Sequence, residues 1–177
     1  MVRYTQVAGV ILAGGRSSRM GVDKKDLILN GKSLLHYMVE ILKETGIKNI
    51  WVSGEARGIP CISDDMPFCG PVPALYTVME HLHSYNRFLF VPVDMPFLMP
   101  EMLRLLLSAP NGAYFSGFPL PAFVVRQEEK KTDRSVKDFL ATMETEPIAL
   151  PERYKAAMKN INTQKDWEEA QKYEYQD

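Results

Sequence analysis

The sequence predicts an α/β domain of three layers, a mostly parallel sheet with helices on both faces. Three observations carry the prediction. Short apolar runs alternate with stretches of helical period, from VAGVIL at 7–12 to FLFVPV at 88–93. The second run is almost unbroken, as a strand buried on both faces requires. The chain's 177 residues, 46% of them hydrophobic, suffice for one domain around a single sizeable core. No linker or internal repeat divides it, so one domain over 1–177 is expected.

Val7 to Leu12 reads as the first buried strand. Leu34, Leu35, Met38, Ile41 and Leu42 then form one helical stripe, with Ser33 placed to cap its start and Gly46 to end it. Asn49 to Ser53 is the second strand. After an irregular stretch, Leu75, Val78, Met79 and Leu82 predict a helix over about 72–83. Phe88 to Val93 is a central strand. Pro92 lacks a ladder donor and predicts a bulge or an early strand end. Glu101 to Ser108 is a short helix. Ala113 to Ser116 and Ala122 to Arg126 read as strands, and Gln127 to Asp133 as a polar surface turn. Arg134 to Glu144 is an amphipathic helix, and Thr163 to Tyr173 a final polar one.

Net charge is −1, so bulk charge gives no ground for a nucleic-acid or membrane partner. No apolar run is long enough to cross a bilayer, and the N-terminus lacks a signal pattern; a cytoplasmic location is the expectation. Cys61 and Cys69 lack CxxC spacing and are read as reduced thiols. His81 and His83 stand two apart on a helical segment, face different ways and do not make a metal pair.

The chain leaves its first strand through LAGGRSSRMGVDKK, Leu12 to Lys25. This loop holds three glycines, two arginines and two lysines. Glycine loses the most backbone entropy on folding, so such a loop is costly to order. Two readings stand. Ala13, Gly14 and Gly15 would let backbone N–H groups approach an anion, with Arg16, Arg19, Lys24 and Lys25 supplying charge. Alternatively it is a solvated turn with ordinary surface cations. Two familiar phosphate loops do not fit. Gly31-Lys32-Ser33 ends like a P-loop, but Asp26 stands where its first glycine belongs, and GxGxxG is absent.

Ligands of open α/β sheets bind beyond the carboxyl ends of the strands. Asp94 closes the strand FLFVPV and would face the glycine loop as a Mg2+ ligand. The alternative is that it caps the helix beginning near Pro100. Asp64 and Asp65 precede Cys69-Gly70-Pro71, where turn-making is the plain reading.

Taken together, LAGG-x3-RMG-x-DK, LNGKSLL, an Asp before Gly70-Pro71, FLFVPVDMPFL and NINTQKDWEEA resemble nucleotidyltransferases that handle sugar phosphates and cofactors. The resemblance is nearest to the molybdenum cofactor guanylyltransferase family and spans almost the whole chain. It implies a nucleotide-diphospho-sugar-transferase-like fold and transfer of GMP from GTP to the terminal phosphate of the molybdopterin cofactor. By this resemblance Leu12, Ala13 and Gly14 contact the nucleoside, and Gly15, Arg19 and Lys24 the triphosphate. Asp64 lies at the nucleoside end, Asp94 binds Mg2+, and Asn160 and Asn162 lie near the metal or the pterin phosphate. Contact with cofactor-insertion proteins is a further implication. The polyanionic pterin calls for cations, and Arg126, Lys130, Lys131, Arg134 and Lys137 are candidates, with Pro119 to Ala122 as one wall. The chain departs from the family in two places. It reads GPVPA at Gly70 to Ala74 where the family has GPLAG, and Ser53-Gly54 where an asparagine is common. Rival readings are a CTP-dependent or sugar-phosphate nucleotidyltransferase of the same fold, and a non-catalytic nucleotide-binding module.

Overall fold

The computed structural model describes residues 6–14, 23–63, 70–127 and 133–172. The expected elements are present. Strand β1 (Val7–Leu12) is followed by a short hairpin of β2 (Ile28–Leu29) and β3 (Lys32–Ser33). Next come helix α1 (Leu34–Thr45), β4 (Asn49–Ser53), β5 (Cys61–Ile62) and α2 (Pro71–His81). The chain continues through β6 (Arg87–Pro92), α3 (Pro100–Leu107), β7 (Gly112–Phe115) and β8 (Phe118–Val125). It closes with α4 (Val136–Thr142), β9 (Glu146–Ile148) and α5 (Gln164–Ala170). None of the described helices is long and apolar enough to cross a membrane.

Seven strands form the main sheet in the order β5-β4-β1-β6-β8-β7-β9. β5, β4, β1 and β6 run parallel, and β9 is parallel to β7. β8 is antiparallel to both β6 and β7, so the run at 88–93 is parallel on one side only. It is nonetheless buried on both faces, because Phe88 and Phe90 point into one core and Leu89 and Val91 into the other. Pro92 fits because Val93 N donates to Leu12 O at 3.1 Å. Its own missing donor therefore faces β8, whose pairing with β6 has already stopped at Phe90 opposite Ala122.

The alternation of β1 sorts the layers. Val7 and Ile11 face α1 and α3, whereas Ala8 and Val10 face α2 and α4. Helix α1 begins and ends as its sequence predicts. Ser33 Oγ accepts from His36 N at 3.3 Å, and Gly46 closes the helix at φ 106°. Its stripe of Leu34, Met38 and Leu42 is fully buried. Each such side chain contributes about 1.5–3 kcal/mol of burial.

Four details differ from expectation. The hairpin β2–β3 turns at Asn30 (φ 46°) and Gly31 (φ 79°), the Asn-Gly pair that suits a two-residue turn. β5 and β9 are too short to show a period and exist through pairing. The last helix stops at Ala170 and is not wholly polar, since Trp167 and Ala170 are buried. Arg126, expected among the pterin cations, is engaged in the fold. Its guanidinium donates to Met79 O and Leu82 O at the end of α2 and lies over the Phe88 ring. A cation is favoured there because the last carbonyls of a helix lack partners.

Candidate active site

The carboxyl ends of β1, β4 and β6 meet at one edge of the sheet. Leu12 pairs with Ser53 on one side and with Pro92 on the other. Ala13 N donates to Ser53 O at 3.0 Å, which fixes where the chain leaves β1. Gly54 then packs directly on that turn. Its φ is +119°, and a Cβ added there would lie 3.3 Å from Gly14 N. A side chain at 54 is therefore disfavoured both by backbone conformation and by the nearness of Gly14, which accounts for the glycine there.

A cleft of about 210 Å³ opens at this edge. Leu12, Ala13 and Gly14 line it together with Asp23 and Lys24 and with Pro92, Val93 and Asp94 at the end of β6. Pro71 and Leu120 complete the lining, Leu120 coming from the 119–122 segment expected at the pterin. Pro71 opens α2 after Gly70, whose φ of 93° and ψ of −179° suit glycine alone. Pro71 and Pro73 both fall in the first turn, where their missing N–H groups break no helical bond. The GPVPA variant is thus a sound helix entry, and Ala74 is buried.

The polar centre is a four-residue network. Lys24 Nζ donates to Asp94 Oδ2 at 2.8 Å and to Asn162 Oδ1 at 2.8 Å. Asn160 Nδ2 donates to Asp94 Oδ1 at 3.0 Å, and Ile161 N donates to Asp94 O at 2.8 Å. The Asp94 and Lys24 side chains are 15% and 21% exposed. Asp94 is not the cap of α3, because Met99 occupies the N-cap position and provides no side-chain bond. The metal-versus-cap question of the sequence thus loses its second arm.

Lys24 is aimed by its neighbour. It opens a 3-10 turn, Lys24–Asp26, capped by Asp23. Asp23 Oδ1 accepts from Lys25 N at 3.4 Å, and Oδ2 pairs with Lys25 Nζ at 2.5 Å. The hydrogen bond to Asp23 raises the Lys25 pKa above its ordinary value, against the opposing effect of burial. Asn162 comes from the far end of the sequence, directly before the capping box of α5 that joins Thr163 and Asp166, and its N–H donates to Asp166 Oδ2 at 3.1 Å. Asp23 and Asp166 both fall inside the sequence motifs, though the motifs alone give neither a role. The pattern Thr163-x-x-Asp166 ahead of Trp167 is a capping-box signal that points to the second.

Asp94 Oδ2 and Asn162 Oδ1 thus converge on one cationic nitrogen. Two oxygens converging on one cation position suit a hard divalent ion, which takes few protein oxygens and completes its shell with water and phosphate. The Asn160 bond to the far oxygen fixes the carboxylate's orientation. Among the described residues no group of three or more His, Cys, Asp or Glu is arranged to hold a metal. Of the other residues singled out from the sequence, Gly15, Arg16, Arg19, Asp64, Asp65, Lys130 and Lys131 lie outside the described residues, as does Cys69. Cys61 is a free thiol. Arg134 and Lys137 flank the start of α4.

The pattern of the MobA-like NTP transferase domain matches residues 9–166. A molybdenum cofactor guanylyltransferase of Xanthomonas euvesicatoria is 31% identical, over 90% of this chain and 91% of its own. A probable molybdenum cofactor guanylyltransferase of Natranaerobius thermophilus is 27% identical, over 94% and 96%. The fold is shared with molybdopterin-guanine dinucleotide biosynthesis protein A of Archaeoglobus fulgidus, at a TM-score of 0.67 and 18% identity, over 93% and 96%. With its domain pattern matched over nine-tenths of its length, and with a cleft at the strand ends where nucleotide ligands of such sheets sit, the chain belongs to the MobA-like NTP transferase domain family of nucleotidyltransferases.

Proposed function

We propose that this single domain transfers GMP from GTP to the terminal phosphate of the molybdopterin cofactor, giving molybdopterin guanine dinucleotide and pyrophosphate. The observation that carries the reading is the convergence of the Asp94 and Asn162 side-chain oxygens on the Lys24 ammonium beside the Ala13–Gly14 turn. An oxygen of the pterin phosphate attacks the α-phosphorus of GTP, a new P–O bond forms, and the bond to the β-phosphate breaks. One anion attacks another, so the protein's main task is to neutralise charge.

Leu12, Ala13 and Gly14 receive the nucleoside against the strand ends, where small residues leave the backbone accessible. Lys24 supplies charge to the triphosphate and to the departing pyrophosphate. Asp94 and Asn162 present the oxygens that hold Mg2+, and Asn160 keeps the Asp94 carboxylate turned toward it. The ion, when bound, polarises the α-phosphoryl group. Gly15, Arg19 and Asp64 take part by family resemblance: Gly15 and Arg19 at the triphosphate, Asp64 at the nucleoside. The attacking phosphate is ionised at neutral pH, so no general base is needed. His36 and His81 fit this picture, each being tied to its own helix. Arg134 and Lys137 are offered to the pterin phosphates. The enzyme works in the cytoplasm and hands its product to cofactor-insertion proteins.

The test is a nucleotide panel. With Mg2+ present, GTP is expected to bind more tightly than ATP, CTP or UTP, and to give pyrophosphate release when molybdopterin is added. Equal thermal shifts from all four nucleotides remove the guanine assignment. Preferred release from CTP makes the enzyme a cytidylyltransferase. Binding without turnover leaves a nucleotide-binding module.

A further inference from the structure

We propose that Asp166 is a positioning residue of the transfer site, setting the direction of the Asn162 side chain through the backbone of residues 162 and 163. The inference rests on the reading that Asn162 and Asp94 face the metal and the nucleotide.

The bonding of Asp166 exceeds what a helix cap requires. A capping box needs the carboxylate at N3 to accept the N–H of the N-cap residue, and the N-cap hydroxyl to accept the N–H of N3. The chain contains an ordinary example at α4. There Asp138 Oδ2 accepts from Ser135 N at 3.0 Å and Ser135 Oγ accepts from Asp138 N at 3.1 Å. At α5, Thr163 Oγ1 accepts from Asp166 N at 3.1 Å, and Asp166 Oδ2 accepts from Thr163 N at 2.8 Å. The same oxygen also accepts from Thr163 Oγ1 at 2.8 Å and from Asn162 N at 3.1 Å. The bond to Asn162 N lies outside the box and on the residue whose amide reaches Lys24.

The neighbourhood explains why this bond decides a direction. Just upstream, Ile161 is 1% exposed and its N–H is fixed to Asp94 O. Just downstream, Trp167 is packed in the core. Asn162 bridges these anchors. Its side-chain oxygen lies 2.8 Å from Lys24 Nζ only while its own backbone is held. Asp166 holds it from outside the cleft.

The experiment compares Asp166→Ala, Asp166→Glu, Asn162→Ala and the double variant Asp166→Ala/Asn162→Ala, with Ser135→Ala as the control for loss of an ordinary cap. Two quantities are read: the melting temperature, and the Kd for GTP at saturating Mg2+ by calorimetry. Asp166→Ala and Asn162→Ala are each expected to weaken GTP binding about tenfold or more, the usual effect of removing a partner that orients a ligand-bearing group. The double variant is expected to bind no more weakly than Asn162→Ala alone. Asp166→Glu is expected to keep the melting temperature, because Glu is the common capping-box residue, yet to weaken binding, because its longer arm moves the oxygen off Asn162 N. Ser135→Ala is expected to lower the melting temperature and leave Kd unchanged. Wild-type affinity in both Asp166 variants, or additive losses in the double variant, overturns the proposal while leaving the site intact. Wild-type affinity in Asn162→Ala removes Asn162 from the site and the proposal with it.

Discussion

Replacing Asp94 by asparagine should separate the fold from the chemistry, and the network sets both magnitudes. The carboxylate accepts from Lys24 at 2.8 Å and from Asn160 at 3.0 Å. Asparagine keeps one acceptor oxygen for Lys24. Its new NH2 faces Asn160, whose amide can turn over to present oxygen instead. Both bonds survive, the first still from the Lys24 ammonium, and what is lost is the charge of the carboxylate. A hydrogen bond to a charged group is worth roughly 1 kcal/mol more than a neutral one. The 15% and 21% exposure of the two partners keeps the effect near that figure. A loss of about 1 kcal/mol lowers the melting temperature by about 2–4 °C in a chain of this size. Turnover should fall far more, by about 10²–10³-fold, as for other electrostatic contacts that strengthen in the transition state. The assay is steady-state pyrophosphate release across a Mg2+ series, with melting curves in parallel. Near-wild-type turnover would refute the placement of Asp94 beside the metal. A fall in melting temperature of more than about 10 °C would refute the claim that the amide can replace the carboxylate in the fold.

Arg126→Ala should cost about 1.5–3 kcal/mol in urea unfolding, because charged hydrogen bonds to the end of α2 are lost. GTP affinity should not change, and a loss of molybdopterin binding without a loss of stability would return Arg126 to the pterin site. Gly54→Ala should cost about 1–3 kcal/mol for its positive φ. It should also weaken GTP binding, since the new methyl group presses on Gly14; a titration at unchanged Kd would count against the close packing. Asp166 has a pKa lowered from 3.8, chiefly by the Thr163 hydroxyl and next by the Asn162 N–H. A lowered carboxyl pKa gives stability that is present above the unfolded value and lost as pH falls through the folded one. The stability gap between wild type and Asp166→Ala should therefore be full at neutral pH and shrink below pH 3.8, as read by urea titrations at both ends.

Much of this fold is written locally. Val7–Leu12 is an apolar run with turn residues behind it, and α1 carries its stripe, its Ser33 cap and its Gly46 stop within fourteen residues of sequence. The Asn30-Gly31 pair is also a local turn signal, but the strands of two residues that it joins are too short for a period to announce, and the hairpin was not expected. The antiparallel entry of β8 between β6 and β7 is different in kind. It depends on which edge of β6 is left open, and no residue of Phe118–Val125 encodes that. The site divides in the same way. Lys24, Asp94, Asn160 and Asn162 are each identifiable by motif, and the fold brings them within hydrogen-bonding distance. Asp23 and Asp166 act through backbone N–H groups; Thr163-x-x-Asp166 is legible as a capping box, but the further bond of that carboxylate to Asn162 N is not.

The network also has a timetable. Lys24 and Asn162 meet across 138 positions of chain, and Lys24 and Asp94 across 70. Contacts of such separation form only after the intervening chain has been ordered, so the loop-closure entropy falls on the last steps of folding. At about 5–20 residues per second, translation delivers Asn162 roughly 7 to 28 s after Lys24. During that interval β1, α1 and β4 can assemble with Lys24 already in place. The oxygen pair is complete only when the Asn160–Asn162 segment emerges and Ile161 locks onto Asp94. A nascent chain is thus built without the Lys24–Asp94–Asn162 network, and acquires it only once residues 160–162 have been made.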